Sequence, residues 1–213
     1  TLQPNKNFKL PLLDEVKYFT LLKADNSQLT VIDLAHSKQY PKSTVADIIH
    51  SYFKYVRDIY EARLKKFDPE NSSAAIIKAD IIDEALSARS FLIVDTLKDS
   101  TRTFNGGIRV TMARSQNENL PLQFDFPDYH RYSDFGTSVE IGRFTSNNSA
   151  SPGSTILLIR TAIEVALQYP NVQDFYVHTS AVHARLYKMI GLIPSNIDIK
   201  DGLNYILRFT LED

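Results

Sequence analysis

The sequence predicts an α+β domain with a mixed sheet, on three observations. Short β-branched and aliphatic runs recur along the chain, one long amphipathic helix follows the first of them, and a strand–helix–strand crossover closes the pattern. At 213 residues the length fits one domain, read as an N-terminal extension over 1–27 packed on a single domain over 28–213.

The elements follow in order. Phe8 to Leu22 reads as a helix or an added strand, and Gln28 to Leu34 as a strand. After Pro41, Ser43 or Thr44 caps a helix running to about Phe67. Val45, Ile48, Ile49, Phe53, Val56, Tyr60 and Leu64 fall near a 3.6-residue period on it. Asp68-Pro69 ends the helix, because the residue before proline avoids helical backbone. Asn71 to Ala88 reads as loop with a short helix. Ser90–Thr96 and Ile108–Ala113 read as strands joined by a polar hairpin, and Gln116–Ser138 as irregular and aromatic. Val139–Thr145 is a strand. Ser154 caps a helix over Thr155–Tyr169, with Ile156, Ile159, Ile163 and Leu167 among its core positions. Asp174–His178 is a strand, Val182–Ile190 a helix ended by Gly191, and Tyr205–Leu211 the last strand.

Composition excludes several function classes. Hydrophobic residues make up 43% and charged residues 23%, enough apolar material to bury a core. Lys+Arg at 24 against Asp+Glu at 25 gives a net charge of −1, unlike a chain whose task is to neutralise nucleic-acid phosphates. With no cysteine there is no disulfide, thiolate metal site or cysteine nucleophile. The longest apolar runs, such as Phe91–Val94, fall far short of a membrane span, and Thr1–Lys6 does not read as a signal peptide. A cytoplasmic location is therefore expected. The P-loop, the G-x-S-x-G elbow and H-E-x-x-H are absent. His178 and His183 lie near a strand–helix junction with no evident third ligand, so they read as core-edge hydrogen bonders and no metal is expected.

Four spaced elements stand out. They are Arg63-Leu-Lys-Lys-Phe67, Asp80-Ile-Ile-Asp83, Gly106-Gly-Ile-Arg109, and Val139-Glu140-Ile-Gly-Arg143-Phe144. Their succession resembles the acyl-homoserine lactone (autoinducer) synthases and the related N-acyl amino acid synthases, within the GCN5-related N-acetyltransferase (GNAT) superfamily. The first group carries R-x-x-x-F, D-x-x-D, a hairpin arginine and E-x-x-R in this order. Phe175–His178 and Arg185 to Gly191 look like the superfamily's closing strand and its Tyr-bearing helix. The resemblance covers about residues 28–211. It implies a mostly antiparallel central sheet flanked by helices as a three-layer sandwich. It also implies acyl transfer from a phosphopantetheine thioester to an amine.

Two departures bear on the acceptor. The autoinducer synthases carry a tryptophan shortly after R-x-x-x-F, and this chain has none; they also begin near that motif, whereas about 60 residues precede it here. Both fit acylation of an ordinary amino acid, such as tyrosine, better than homoserine-lactone formation. The superfamily's pyrophosphate loop is replaced by Ser149-Ala-Ser-Pro-Gly153-Ser154-Thr155. This weaker phosphate cradle suits an acyl carrier protein more than acyl-CoA. No tightly bound cofactor is expected.

The chemistry assigns roles. Glu140 is the candidate base for the amine, acting directly or through a water, ahead of the alternative of a strand-end partner of Arg143. Arg143 and Arg109 bind the acceptor carboxylate or complete a charge network with Asp80 and Asp83. The resemblance puts Arg63 and Phe67 at the border of the site, although Arg63, near a helix end, reads equally as a surface charge. The oxyanion is expected at backbone N–H groups around Phe144 and Thr145. Ser180 or Tyr187 could protonate the leaving thiolate. Phe104, Met112, Phe124, Phe126, Ile141 and Leu157 could line an acyl tunnel or simply form core. Arg160, Arg185 and Lys188 could steer an acidic carrier protein or be ordinary solvated helix faces.

Overall fold

A computed structural model describes residues 18–22, 27–35, 44–67, 87–97, 103–131, 136–147, 152–180, 184, 187, 194, 196–201 and 204–210. Eight strands form one sheet: β1 (Tyr18–Leu22), β2 (Ser27–Asp33), β3 (Arg89–Leu97), β4 (Phe104–Ala113), β5 (Thr137–Ser146), β6 (Val172–Ser180), β7 (Asn196–Asp201) and β8 (Asn204–Thr210). Their spatial order is β1-β2-β3-β4-β5-β6-β8-β7, and only β5–β6 is parallel. The helices whose bounds lie among the described residues are α1 (Thr44–Phe67), α2 (Leu122–Asp125) and α3 (Pro152–Leu167).

This is the expected α+β architecture: an antiparallel meander from β1 to β5, then a crossover through α3 to β6. The stretch read as helix or added strand contributes β1. The sequence reading missed β7, whose Asn-Ile-Asp-Ile-Lys-Asp composition is two-thirds polar and becomes a strand by pairing with β8. The helix expected over 182–190 lies outside the described residues, except that Ala184 and Tyr187 are helical.

On α1, Val45, Ile48, Tyr52 and Val56 form the buried stripe, packed on Ile32, Leu92, Val94 and Phe104 of the sheet's front face. Burying each such side chain contributes about 1.5–3 kcal/mol. Asp47 in the first turn and Lys65 and Lys66 in the last complement the helix dipole. Exposed i,i+4 pairs, Lys54–Asp58 at 3.0 Å and Glu61–Lys65 at 2.7 Å, add only tenths of a kcal/mol.

The back face holds the larger core. Val31, Phe91, Ile93, Ile108, Val110, Met112, Val139 and Ile141 meet Leu158, Ile159, Ala162, Val165 and Ala166 of α3. Helices on both faces make three layers. The buried stripe of α3 differs from the one expected: Ile156 and Leu167 are 46% and 48% exposed, whereas Ile159 is 2% exposed. The helix starts at Pro152, before Ser154. Proline suits the first helical turn, where its missing N–H would have had no partner, so Ser154 lies inside the helix instead of capping it.

Ile159→Ala should therefore lower unfolding free energy by about 2–5 kcal/mol. Ile156→Ala should change it by less than about 0.5 kcal/mol. Urea unfolding of the two variants reads the difference, and equal losses would refute this placement of α3.

Candidate active site

Strand parity brings the candidate residues together. On β4 and β5, Arg109 pairs with Gly142 and Thr111 with Glu140. Arg109 and Glu140 are thus diagonal neighbours on the front face, 2% and 3% exposed. A Cβ at Gly142 would lie 3.4 Å from Nη2 of Arg109 and 3.8 Å from Oε1 of Glu140, so both side chains lean over that glycine.

Glu140 is held from above. The backbone N–H of Leu122, at the start of α2, donates to its Oε2 at 2.7 Å. Burial pushes the carboxyl up to about 7. Arg109, the Leu122 N–H and Arg143 hold it back from rising further, while Asp125 adds to the rise. Burial and then Arg143 push the Arg109 guanidinium down to about 9, against the pull of Glu140. At neutral pH, Arg109 therefore stays charged while Glu140 is poised to take or give a proton.

Beyond Glu140 the strand is bulged. Gly107 pairs with Thr145 and Arg109 with Gly142, so Arg143 and Phe144 together face the single residue Ile108. Arg143 sits at φ +51°, in the left-handed region that side chains disfavour. The bulge sends Phe144 into the back-face core and returns Thr145 to the front face. Tyr52 of α1 pins it: its buried hydroxyl donates to the Arg143 carbonyl at 2.7 Å and lies 3.0 Å from Thr145 Oγ1. Gly107 makes room for that ring, since a Cβ there would fall 2.4 Å from Tyr52 Cε2.

The same region is where the sheet opens. Among the described residues the β5–β6 ladder runs from Thr137–Val172 to Ile141–Val177, and no further pair follows. Gly142 to Ser146 stay bonded to β4, so the outer edge of β5 parts from β6 just past Glu140. His178, the first residue of β6 beyond the last pair, shares the front-face parity of Tyr176 and Glu140. Its Nδ1 lies 3.7 Å from Asp125 Oδ2, and Phe126 meets its ring edge-on.

Arg63 and Phe67 lie in the last turns of α1, and Asp80 and Asp83 lie outside the described residues. Phe124 is exposed on α2. Tyr187 is buried in the back-face cluster with its ring 6.2 Å from Phe209, and burial drives its hydroxyl pKa upward. The six apolar residues read as tunnel or core do not share one surface. Phe104 and Phe126 pack on the front, whereas Met112, Ile141 and Leu157 pack on the back. Arg160 pairs with Glu164 at 2.7 Å; Arg185 and Lys188 lie outside the described residues. Among the described residues no group of three metal-ligating side chains occurs, and no helix is long and apolar enough to cross a membrane.

No family model matches the chain, and no curated protein does. Solved structures do. An acyl-CoA N-acyltransferase from Pseudomonas aeruginosa superposes with a TM-score of 0.53 at 12% identity, over 85% of this chain and 98% of that one. An uncharacterized protein from Bacillus halodurans gives 0.52 at 8% identity, over 91% and 90%. The chain shares the fold of these two structures. FeeM, an N-acyl amino acid synthase from uncultured soil microbes, superposes more loosely, with a TM-score of 0.48 at 14% identity over 85% and 89%.

Within this fold, sequence reasoning missed Tyr52, Gly142 and the Asp125–His178 pair. The helical period contained a signal for the first, since Tyr52 lies four residues from both Ile48 and Val56 on the buried stripe. The other two depend on contacts across the sheet.

Two stability predictions follow from the geometry. Tyr52→Phe removes the donor to the Arg143 carbonyl and should cost about 1–3 kcal/mol, measured by denaturant unfolding. Because the folded pKa of Glu140 is raised, folding binds a proton between about pH 4.5 and 7, and stability falls as pH rises through that window. Glu140→Gln should therefore be more stable than wild type at pH 8, with the advantage vanishing towards pH 4. A constant difference across pH would contradict the raised pKa.

Proposed function

We propose that this chain is an N-acyltransferase that moves a long-chain fatty acyl group from an acyl carrier protein thioester to the α-amine of an amino acid. The observation that carries the reading is Glu140: a buried carboxyl with a pKa of about 7, flanked by Arg109 and Arg143, at the point where β5 parts from β6. A free α-amine is mostly protonated at neutral pH, so it must lose one proton to free its lone pair and a second once the C–N bond has formed; a carboxylate poised near 7 can take each in turn, releasing the first to solvent. The fatty acyl, carrier-protein and amino-acid assignments draw on the motif resemblance, in which Glu140, Arg143 and Arg109 occupy matching places in order.

The thioester arm enters the gap between the parted strands. Its carbonyl oxygen accepts hydrogen bonds from backbone N–H groups of the bulged stretch around Phe144 and Thr145, which stabilise the developing oxyanion. Arg109 and Arg143 orient the acceptor carboxylate. Arg109 is too deeply buried to leave uncompensated, so it also holds Glu140 partly ionised. The start of α3, six residues after β5 ends, offers backbone N–H groups to the phosphate of the pantetheine arm.

Mass spectrometry of organic extracts from cells expressing the chain, beside an empty-vector control, tests the reading. New masses of a fatty acyl group joined to an amino acid are expected, and Glu140→Gln should reduce them by about 100-fold or more. Acyl lactones with methylthioadenosine would mark an autoinducer synthase instead. Acetylated products with tight acetyl-CoA binding would mark a small-molecule acetyltransferase. An absence of any new product, unchanged in Glu140→Gln, would mark a lipid-binding module.

A further inference from the structure

Amide formation from a thioester leaves a thiolate that needs a proton, and Glu140, as the base, does not supply it. We infer that His178 is the general acid that protonates the leaving sulfur, with Asp125 as the residue that positions it. This inference rests on the thioester-dependent N-acyltransferase reading.

Placement carries the argument. His178 is the first residue of β6 past the last β5–β6 pair, so it borders the opening from the strand opposite Glu140. Alternation along β6 gives it the front-face side of Tyr176, which pairs with Glu140. On β5 the next front-face residue is Gly142, which puts no side chain between the carboxylate and the opening. Base and acid thus flank one gap, each on its own diverging strand.

Asp125 links them. It lies at the end of the α2 turn whose first N–H holds Glu140, and its Oδ2 is 3.7 Å from His178 Nδ1. That contact favours a proton on Nδ1 and the imidazolium form, with Nε2–H as the bond that gives up its proton. Phe126 packs edge-on against the ring and limits its rotation. Tyr187 is a poorer donor, because it packs in the back-face core and burial makes its hydroxyl a weaker acid.

In the step, the amine nitrogen forms the C–N bond and yields its proton to Glu140. The C–S bond breaks, and His178 Nε2–H protonates the sulfur. The proton on Glu140 then passes through solvent to restore the imidazolium.

A change of leaving group tests this. With a long-chain acyl carrier-protein thioester and a mixture of protein amino acids, His178→Gln should lose about 100-fold in turnover. With the thiophenol thioester of the same acid, whose thiolate leaves without a proton, the loss should shrink to less than about 10-fold. Glu140→Gln should stay impaired on both donors. Equal losses of His178→Gln on both donors, or no loss on either, would overturn the acid role while leaving acyl transfer intact. A wild-type chain inactive on both donors would overturn acyl transfer itself and this inference with it.

Asp125→Asn is the second variant, should His178→Gln fail to fold. Among the described residues, the charged or titratable groups on the elements packed around His178 are Asp125 from α2, Glu140 from β5, Tyr176 on its own strand, and Arg208 on β8, which is tied to Asp174 at 3.6 Å. A carboxylate 3.7 Å from Nδ1 favours the protonated ring, the form the acid role needs. Its loss should therefore move the alkaline limb of the kcat profile to lower pH, and an unmoved limb would refute the positioning role.

Discussion

The hydrogen bond from Tyr52 to the Arg143 carbonyl holds the site in register. A non-glycine residue at φ +51° costs of order 1–3 kcal/mol and persists only where its surroundings fix it. Here the fixing group is a buried phenol from the helix across the front face, seated in the space that Gly107 leaves. Without the extra residue, alternation would turn Phe144 towards Glu140 and Thr145 away from Tyr52. One bulge therefore sends an aromatic ring into the back-face core, keeps Thr145 under α1, and redirects β5 where it leaves β6. Helix α1 is thus a brace on the strand that carries the candidate base, as well as a cover for the sheet.

The charge cluster obeys a second constraint. Two guanidinium groups near one carboxylate would ordinarily depress its pKa, yet Glu140 rises because burial outweighs them. The same burial lowers Arg109, with Arg143 reinforcing the shift. A fold selected only for stability would gain by replacing such a group with an apolar or neutral isostere. Retaining an ionisable carboxyl under α2, one residue short of where the β5–β6 ladder ends, fits a use in proton transfer.

Local pattern made the meander, the crossover and the long helix legible, because each rests on a period or a turn signal within a few residues. The buried stripe of α1 was legible for the same reason, although Tyr52 sits on it where Phe53 was expected. Features that depend on partners were not. The polar-apolar alternation of β7 becomes a strand only beside β8, and the αL residue in β5 is arginine, where a glycine would have been a visible signal. The tunnel-or-core set shows the same limit: Met112 and Phe104 are close in sequence but lie on opposite faces, and only the pairing register decides that. Arg109 and Glu140 were legible as candidates through their motif, but their adjacency comes from the pairing of Arg109 with Gly142. The Asp125–His178 contact joins a turn to a strand about 50 residues away and leaves no trace in local sequence.

Parallel pairing at a single place in an otherwise antiparallel sheet explains where chemistry can occur. Antiparallel neighbours joined by hairpins stay bonded along their length, as β3–β4 and β4–β5 do. Two parallel strands joined through a helix can separate at their far ends, because the crossover leaves from one strand's end and returns at the other's beginning. Once β5 and β6 separate past Ile141 and Val177, the two strands no longer pair with each other. An extended amide-bearing arm can lie along such a parting in the manner of an added strand. Under the proposed acyl transfer, a pantetheine arm would lie there with its thioester end between Glu140 on one strand and His178 on the other. The opening in the sheet and the placement of the ionisable groups are therefore two consequences of one topological break.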